Sequence, residues 1–210
     1  MKIINVMASS VDGFIGAKPN ESDVERQKVN ISSKADHEHL LTMMESADAV
    51  VVGASSIRAN CECLELLNKK NPDWYIFAQT ELNKDMNFWD QKLIRRSIIS
   101  SNQLPIHNTE VNFIHLPNKG THQLVEGLLE VLKKKAYANV LLFGGGEVNS
   151  WFYEMGLVDE LCLTIAPVII ASEEGSHFVS PKLPHPVSLR LKSFSEKSDF
   201  LFLNYKVSKI

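Results

Sequence analysis

Residues 140–149 read Val140-Leu141-Leu142-Phe143-Gly144-Gly145-Gly146-Glu147-Val148-Asn149. An apolar strand here meets a run of glycines at the start of a helix. Glycines let backbone N–H groups approach an anion closely, and a helix N-terminus adds unsatisfied donors and a favourable dipole. The helix, predicted over 150–155, is followed by a second apolar strand over 161–170, which Pro167 interrupts. This unit of strand, glycine turn, helix and strand predicts a site that holds a phosphate.

Taken alone, the glycine turn is a weak motif, because it lacks the third glycine of the dinucleotide fingerprint G-x-G-x-x-G. A flexible strand-to-helix turn is the alternative interpretation. A second stretch, Asp48-Ala49-Val50-Val51-Val52-Gly53-Ala54-Ser55-Ser56, is another buried strand that ends in a glycine and two hydroxyl side chains. Two strand ends of this kind could line one cleft. Together they favour nucleotide binding.

The whole chain alternates strands and helices, which is typical of an α/β fold. Helices are predicted over 33–46, with Ser33 as the N-cap, and over 123–135, and a polar loop is predicted over 18–28. The last two strands are expected to be antiparallel edge strands joined by a turn at 195–199. The other predicted strands are 3–8, 49–52, 74–78, 97–100 and 111–115, and the last two are 188–194 and 200–207.

Composition is that of one compact enzyme-sized domain covering residues 1–210. The chain is 44% hydrophobic and 22% charged, which is enough apolar content for one substantial core. The formal net charge is −3, from 22 basic and 25 acidic residues, and it offers no basic field for a nucleic-acid backbone. We therefore expect no nucleic-acid partner.

No membrane segment and no metal site are expected. The chain has no apolar run of about 18 residues, and Met1-Lys2 leads into a strand rather than a signal peptide, which predicts a cytoplasmic protein. The cysteines are odd in number, which suits reduced thiols. His37 and His39 lie two positions apart, so on a helix they point about 200° apart and cannot chelate one ion.

Several motifs resemble one family, the reductase domain of riboflavin biosynthesis (the RibD C-terminal domain), which is itself similar to dihydrofolate reductase. Its opening M-A-x-S-x-D-G-x-I resembles Met7-Ala8-Ser9-Ser10-Val11-Asp12-Gly13-Phe14-Ile15. Its D-A-I-x-V-G-A-x-T resembles residues 48–56. Its E-G-G, G-L-V-D-E and A-P elements resemble Gly144-Gly145, Gly156-Leu157-Val158-Asp159-Glu160 and Ala166-Pro167. The order and spacing match from Ile3 to about Tyr205.

The resemblance implies a dihydrofolate-reductase-like three-layer α/β/α fold with a mixed, mostly parallel central sheet and antiparallel C-terminal strands. It also implies an NADPH-dependent oxidoreductase, commonly a homodimer, without a metal. Arg58 could meet a 2′-phosphate, with a plain surface arginine as the alternative. At Glu147 we expect the backbone N–H, rather than the carboxylate, to face the anion. The cofactor positions implied by the motifs are Ala8, Gly53, Ser55, Ser56, Arg58, Asn60, Gly144, Gly145, Gly146, Glu147 and Val148.

The chain departs from the family mainly on the substrate side, for which the resemblance implies Leu64 and Phe143. Phe143 stands where the family has a glutamate, and Met44 and Leu67 fall near two expected arginines. Each lost charge-assisted contact in a buried site could cost about 1.5–3 kcal/mol, so several together would defeat binding of the classical phosphorylated pyrimidine. Phe143 favours a less polar ligand such as a stacked ring, with simple core packing as the alternative.

The mechanism is expected to be mainly positional, because the reactive chemistry belongs to the cofactor. Asp12 is the candidate for orienting substrate or relaying a proton. The alternative is that its carboxylate only bonds to backbone amides of an Asp-Gly turn.

The sequence therefore predicts a reductase that passes a hydride from NADPH to a C=N or C=O bond of a small pyrimidine- or pterin-like heterocycle. A non-catalytic nucleotide-binding or assembly protein built on the same scaffold is the alternative, because a fold does not fix a function.

Overall fold

The computed structural model of the chain describes residues 1–117 and 119–208. The strands are β1 (Lys2–Ser10), β2 (Phe14–Gly16), β3 (Ala49–Gly53), β4 (Asp73–Phe77), β5 (Arg96–Ser100), β6 (Asn112–His115), β7 (Asn139–Gly144), β8 (Glu160–Ala166), β9 (Ser176–His177), β10 (Leu189–Lys197) and β11 (Phe200–Val207). The helices are α1 (Asp23–Lys28), α2 (Lys34–Glu45), α3 (Ala54–Asn60), α4 (Thr121–Lys134) and α5 (Gly146–Glu154). A 3₁₀ turn covers Asn87–Trp89.

Nine strands form one twisted sheet in the order β10-β11-β8-β1-β7-β3-β4-β5-β6. Every pairing from β8 to β6 is parallel, whereas β11 runs antiparallel to both β8 and β10. Strands β2 and β9 make a separate antiparallel pair. The predicted mixed, mostly parallel sheet with antiparallel C-terminal strands is confirmed.

The central strands of the sheet are buried on both faces. In β3, Val50 and Val52 pack on the face covered by α2 and α3, and Ala49 and Val51 pack on the face covered by α4 and α5. All of them are at most 2% exposed, which is typical of a parallel strand between two helical layers. The three-layer α/β/α architecture predicted from the resemblance is confirmed.

Two helices appear where none was predicted. Residues 18–28, predicted as a loop, contain α1, because Ser22 and Glu25 form a capping box that satisfies the first backbone donors. Helix α3 follows β3 directly, with Gly53 as its N-cap. Helix α5 also begins earlier than predicted, at Gly146 instead of residue 150.

Strand ends also differ from the prediction. Strand β8 stops at Ala166 instead of continuing to residue 170, because the following proline has no N–H for the sheet ladder. The final hairpin turns through Ser198 and Asp199, whose positive φ angles of 57° and 66° suit a two-residue turn. Of the two hairpin strands, β10 alone lies at an edge of the sheet, since β11 lies between it and β8.

None of the helices in the described ranges is both long and apolar enough to span a bilayer.

Candidate functional site

A large cavity of about 940 Å³ opens at the carboxyl ends of the parallel strands β3, β4, β5 and β7. The last residue of β3, Gly53, lines it, and so do Gln79, Ser101 and Gly145, which follow the other three strands. Open α/β sheets bind ligands outside the carboxyl ends of their strands, where successive helices begin. The two strand-end motifs read from the sequence therefore meet in one cleft.

The glycine turn requires glycine at two positions. Gly144 has a φ of +71°, and a Cβ there would lie 2.7 Å from Asn149 Oδ1. A Cβ on Gly146 would lie 2.3 Å from the carbonyl oxygen of His177. Gly145 is different, because its Cβ would lie 3.7 Å from Ile15 Cδ1, an ordinary contact. The peptide bond between Gly144 and Gly145 is cis.

Helix α5 begins at this turn without a side chain to cap it. The N-cap is Gly145, which has no side chain that could accept a hydrogen bond from the first turn. The early N–H groups of a helix have no intrahelical acceptor, so an uncapped N-terminus can bind an anion. Gly145 and Gly146 both line the first cavity.

A buried polar network fixes the turn from behind. Asn149 and Asn5 are both 0% exposed, and Asn5 Nδ2 donates to Leu142 O at 2.8 Å and to Asn149 Oδ1 at 3.0 Å. Tyr153 donates its hydroxyl to Asn5 Oδ1 at 3.1 Å, and burial raises its pKa, which keeps the phenol protonated. Asn149 Nδ2 donates to Phe178 O at 2.8 Å. The network therefore connects α5 to β1, β7 and the segment after β9.

A second cavity of about 450 Å³ lies between the sheet and helices α1, α2 and α3. Its sheet side carries Met7, Ala8 and Val52 together with Trp74 and Phe143, whose rings meet edge to face at 5.7 Å. Charged side chains from the helices and the segment after α3 complete the lining. The second cavity thus combines an apolar floor with a polar rim, as small-molecule sites commonly do.

The two cavities share part of their lining. Glu21, Arg26 and Ser56 line both of them. Glu21 and Arg26 lie in the region predicted as a loop and were not among the predicted site residues. The pattern Ser22-x-x-Glu25 is the signal that would have predicted a helix there.

Most predicted site residues fall into these cavities. Ser56 lines both. Gly144 and Asp12 line neither, because Gly144 supports the turn and Asp12 lies elsewhere. The first cavity receives Gly53, Ser55, Arg58, Gly145, Gly146, Glu147 and Val148, and the second receives Ala8, Asn60, Leu64 and Phe143.

Arg58 and Asn60 both make contacts that fix local structure. Arg58 Nη2 donates to Thr80 O at 2.9 Å and to Thr80 Oγ1 at 2.5 Å, which ties α3 to the segment after β4. Asn60 Oδ1 accepts the backbone N–H of Asp23 at 2.9 Å and so ties α3 to α1. Asn60 borders the second cavity and not the first, where the cofactor residues were expected to gather.

Asp12 is engaged in the turn after β1. Its carboxylate accepts from Ser10 Oγ at 2.6 Å and from the backbone N–H groups of Ile170 at 3.1 Å and Ala171 at 2.8 Å. These bonds, that of Ser10 above all, lower the pKa of Asp12 to about 2. The geometry therefore matches the alternative interpretation of Asp12, a carboxylate that bonds to backbone amides.

This geometry predicts the behaviour of an Asp12→Asn variant. A carboxyl group whose pKa is lower in the folded state stabilises the protein above its ordinary pKa of 3.8, and that stabilisation is lost as the pH falls towards 2. We expect the variant to melt below the wild type at pH 7, with the difference shrinking below pH 4. We expect its turnover to stay within about twofold of wild type. Thermal unfolding across pH 3–7 and steady-state rates measure both, and a tenfold loss of turnover in a folded variant would make Asp12 catalytic.

Among residues 1–117 and 119–208, no group of three or more His, Cys, Asp or Glu side chains could hold a metal ion. Cys61, Cys63 and Cys162 are free, and Cys61 alone of the three is exposed.

The family profile described as the RibD C-terminal domain matches residues 1–200. The chain belongs to the RibD C-terminal domain family. The predicted resemblance is thereby confirmed over nearly the whole chain, and membership of this family supports a reductase role.

Solved structures share the fold at low sequence identity. A pyrimidine reductase-like protein from Corynebacterium diphtheriae superposes with a TM-score of 0.82 at 20% identity, covering 100% of this chain and 92% of that one. The riboflavin biosynthesis reductase of Saccharomyces cerevisiae gives 0.70 at 15% identity, covering 99% and 90%. A bifunctional pyrimidine deaminase and 5-amino-6-(5-phosphoribosylamino)uracil reductase from Thermotoga maritima gives 0.77 at 18% identity, covering 98% of this chain and 56% of that one. The chain therefore spans little more than half of the bifunctional protein.

Proposed function

We propose that this protein is an NADPH-dependent reductase that transfers a hydride to a C=N or C=O bond of a small heterocyclic substrate. The main support for the proposal is that two cavities adjoin each other and share Glu21, Arg26 and Ser56 in their linings. Hydride transfer requires two bound molecules with their reacting atoms in reach of each other. A long cleft for a dinucleotide beside a compact site for its acceptor meets that requirement.

The first cavity fits the phosphates of a dinucleotide. Gly145 and Gly146 place backbone at the wall of the cavity, and a side chain on Gly146 would overlap His177. Ser55 and Ser56, at the start of α3, add hydroxyl groups on the opposite strand end. These residues would hold the pyrophosphate, and the bound nicotinamide would supply the hydride.

A preference for NADPH over NADH follows from the cations that line the first cavity. Lys18, Arg58 and Lys119 all contribute to its wall. Arg58 is the side chain we expect to meet the 2′-phosphate, because α3 and Thr80 already hold its guanidinium in place. A preorganised cation loses less side-chain entropy when the phosphate binds.

The chain's own residues would act by positioning the reactants and excluding water. Met7, Ala8 and Val52 provide a dry floor next to the shared residues, which strengthens polar contacts made there. Phe143, beside Trp74, presents the aromatic surface on which a flat ring can pack. The protein thus binds and aligns the acceptor, while the redox chemistry is that of the nicotinamide.

We also propose that the protein acts as a homodimer through its C-terminal hairpin. Strand β10 is exposed along its whole length, and Phe194 on it is 69% exposed beside Leu191 at 48% and Leu201 of β11 at 40%. An exposed apolar edge strand is a surface that proteins normally cover. Two copies of this hairpin could pair edge to edge about a two-fold axis, in which the same patch of each chain contacts its counterpart.

The binding half of the proposal is tested by titrating the purified protein with NADPH and with NADH, using nicotinamide fluorescence. We expect saturable binding with at least tenfold tighter affinity for NADPH. A tenfold difference corresponds to the free energy of about one charge-assisted hydrogen bond. An Arg58→Met variant is expected to equalise the two affinities. Failure of both nucleotides to bind would contradict the proposed function.

A further inference from the structure

Two buried donors on residues that line the second cavity have no acceptor among the described residues. They are Nε of Arg26 and Nε1 of Trp74, and Trp74 is only 3% exposed. Both residues line the second cavity. Buried donors in proteins are nearly always hydrogen-bonded, so these two mark a part of the cavity wall where the described acceptors of the protein leave polar groups unpaired.

Arg26 is placed to contact such a ligand at the junction. It lines both cavities, and its only close carboxylate in the described part of the chain is Asp23, whose Oδ1 lies 3.6 Å from Nη1. That contact leaves the guanidinium with donors to spare, because an arginine has five N–H groups. A carbonyl oxygen on a bound ring would accept hydrogen bonds from these N–H groups at the point where the two cavities meet.

The charges around the second cavity oppose a phosphate. Among the described residues that line it, Arg26 is the single arginine or lysine, against four carboxylates. Burial lowers the pKa of His39, so that ring is neutral at pH 7. The charged and titratable side chains in the lining are Glu21, Asp23, Arg26, Asp36, His37, His39 and Glu62.

Two of these carboxylates, on Asp36 and Glu62, have no ion pair with a described lysine or arginine. Asp36 Oδ2 accepts from the Ser32 hydroxyl at 3.0 Å, and Glu62 Oε2 accepts from Asn87 Nδ2 at 2.5 Å. Both partners are uncharged, so these hydrogen bonds leave the negative charge of each carboxylate in place. A phosphate dianion entering the cavity would meet that charge at close range.

The positions where the family resemblance implied arginines add no cation. Met44 is 0% exposed and packs in the core between the sheet and α2. Leu67 is 78% exposed and lines neither cavity. Neither position therefore supplies a cation to the cavity, which leaves Arg26 to make the charge-assisted contacts to a ligand there.

We propose that the substrate of the second cavity is a heterocycle without a phosphate group, and that Arg26 binds an acceptor atom on its ring. This inference rests on the proposed function, since it names the class of molecule that the reductase would reduce. Arg26 is then a specificity-determining residue supplied by a helix that the motifs of the family do not include.

The test compares two ligands that differ only in the phosphate. They are 5-amino-6-(5-phosphoribosylamino)uracil and its dephosphorylated form, titrated calorimetrically into the protein with and without saturating NADPH. We expect the dephosphorylated form to bind at least tenfold more tightly at low salt, with the ratio falling as added salt screens the carboxylates. Equal or tighter binding of the phosphorylated form, or no binding of either, would overturn the proposal.

Variants separate the two parts of the proposal. An Asp36→Asn and Glu62→Gln double variant is expected to bring the two affinities within threefold of each other by admitting the phosphate. Arg26→Met is expected to weaken binding of the dephosphorylated ligand at least tenfold. Lys34→Met, on an exposed part of α2, is expected to leave that affinity unchanged. An Arg26→Met variant that keeps its native circular dichroism and full affinity would remove Arg26 from the site.

These results are distinguishable from failure of the proposed function. If neither nicotinamide nucleotide binds, the reductase proposal fails, while titration of the nucleotide-free protein still reports the ligand preference. If NADPH binds and the phosphorylated ligand is preferred, only the inference about the second cavity fails.

Discussion

A Gly145→Asp variant is expected to bind NADPH at least about a hundredfold more weakly than the wild type, because its carboxylate would lie beside the phosphates at the start of α5. Like charges in contact at a binding site cost several kcal/mol, and a hundredfold change corresponds to about 2.8 kcal/mol. Gly145 lines the first cavity, and a Cβ there makes only an ordinary contact with Ile15. The substitution therefore adds charge to the cavity without a steric conflict. Nicotinamide fluorescence measures the affinity.

Gly145→Asn is the matched control. Asparagine has nearly the same shape as aspartate, and both are favoured at a helix N-cap, the position that Gly145 occupies. We expect the asparagine variant to retain affinity within tenfold of the wild type and both variants to melt close to it. Equal losses of affinity in the two variants would point to distortion of the turn and would contradict an anion site at Gly145.

A Gly144→Ala variant is expected to lower stability by more than backbone strain alone would cost. The φ of +71° costs an L-residue about 1–2 kcal/mol, and the new Cβ would overlap the Asn149 amide at 2.7–3.0 Å. Asn149 cannot move away cheaply, because it is fully buried and bonded to Asn5 and Phe178. A total cost of about 3–5 kcal/mol lowers the melting temperature by roughly 6–20 °C in a chain of this size.

Gly156→Ala separates backbone strain from crowding. Gly156 ends α5 with a φ of +63°, and no atom lies within 4 Å of where its Cβ would be. We expect a loss of only about 1 kcal/mol there, the usual cost of replacing a C-terminal glycine. Thermal unfolding of the two variants side by side measures the difference, and equal melting temperatures would show that the Asn149 network does not restrain the turn.

Local patterns predicted the parts of the site that are continuous in sequence. Gly53, Ser55, Gly145 and Gly146 each lie where a strand passes directly into a helix, so the residue types needed at the cavity stand next to one another in the chain. Strand periodicity and glycine chemistry are sufficient to predict such a junction.

Contacts between distant segments could not be predicted in the same way. The segment around His177 covers Gly146, and residues 170–171 bind Asp12, although nothing in either sequence specifies its partner. Such contacts are set by tertiary packing, which a single sequence does not reveal. Arg26 is a different case. The capping-box pattern of Ser22 and Glu25 is present in the sequence, and it predicts the helix α1 that carries Arg26.

The alternative of a non-catalytic nucleotide-binding or assembly protein makes a different prediction from a reductase. Such a protein would retain the glycine turn and the exposed hairpin around Phe194, but it would not need Arg26 and Glu21 between two cavities. The cytoplasmic location stays a prediction from the sequence.

Transfer of deuterium from NADPH deuterated at nicotinamide C4 to a heterocyclic acceptor, followed by mass spectrometry of the product, tests the proposed reductase activity directly. Phosphate-free pyrimidines and pterins with a reducible C=N or C=O bond are the acceptors to use. A reductase is expected to oxidise NADPH only when the acceptor is present and to place one deuterium in the reduced product. NADPH that binds and is never oxidised by any of these acceptors would contradict the reductase proposal and would favour the non-catalytic alternative.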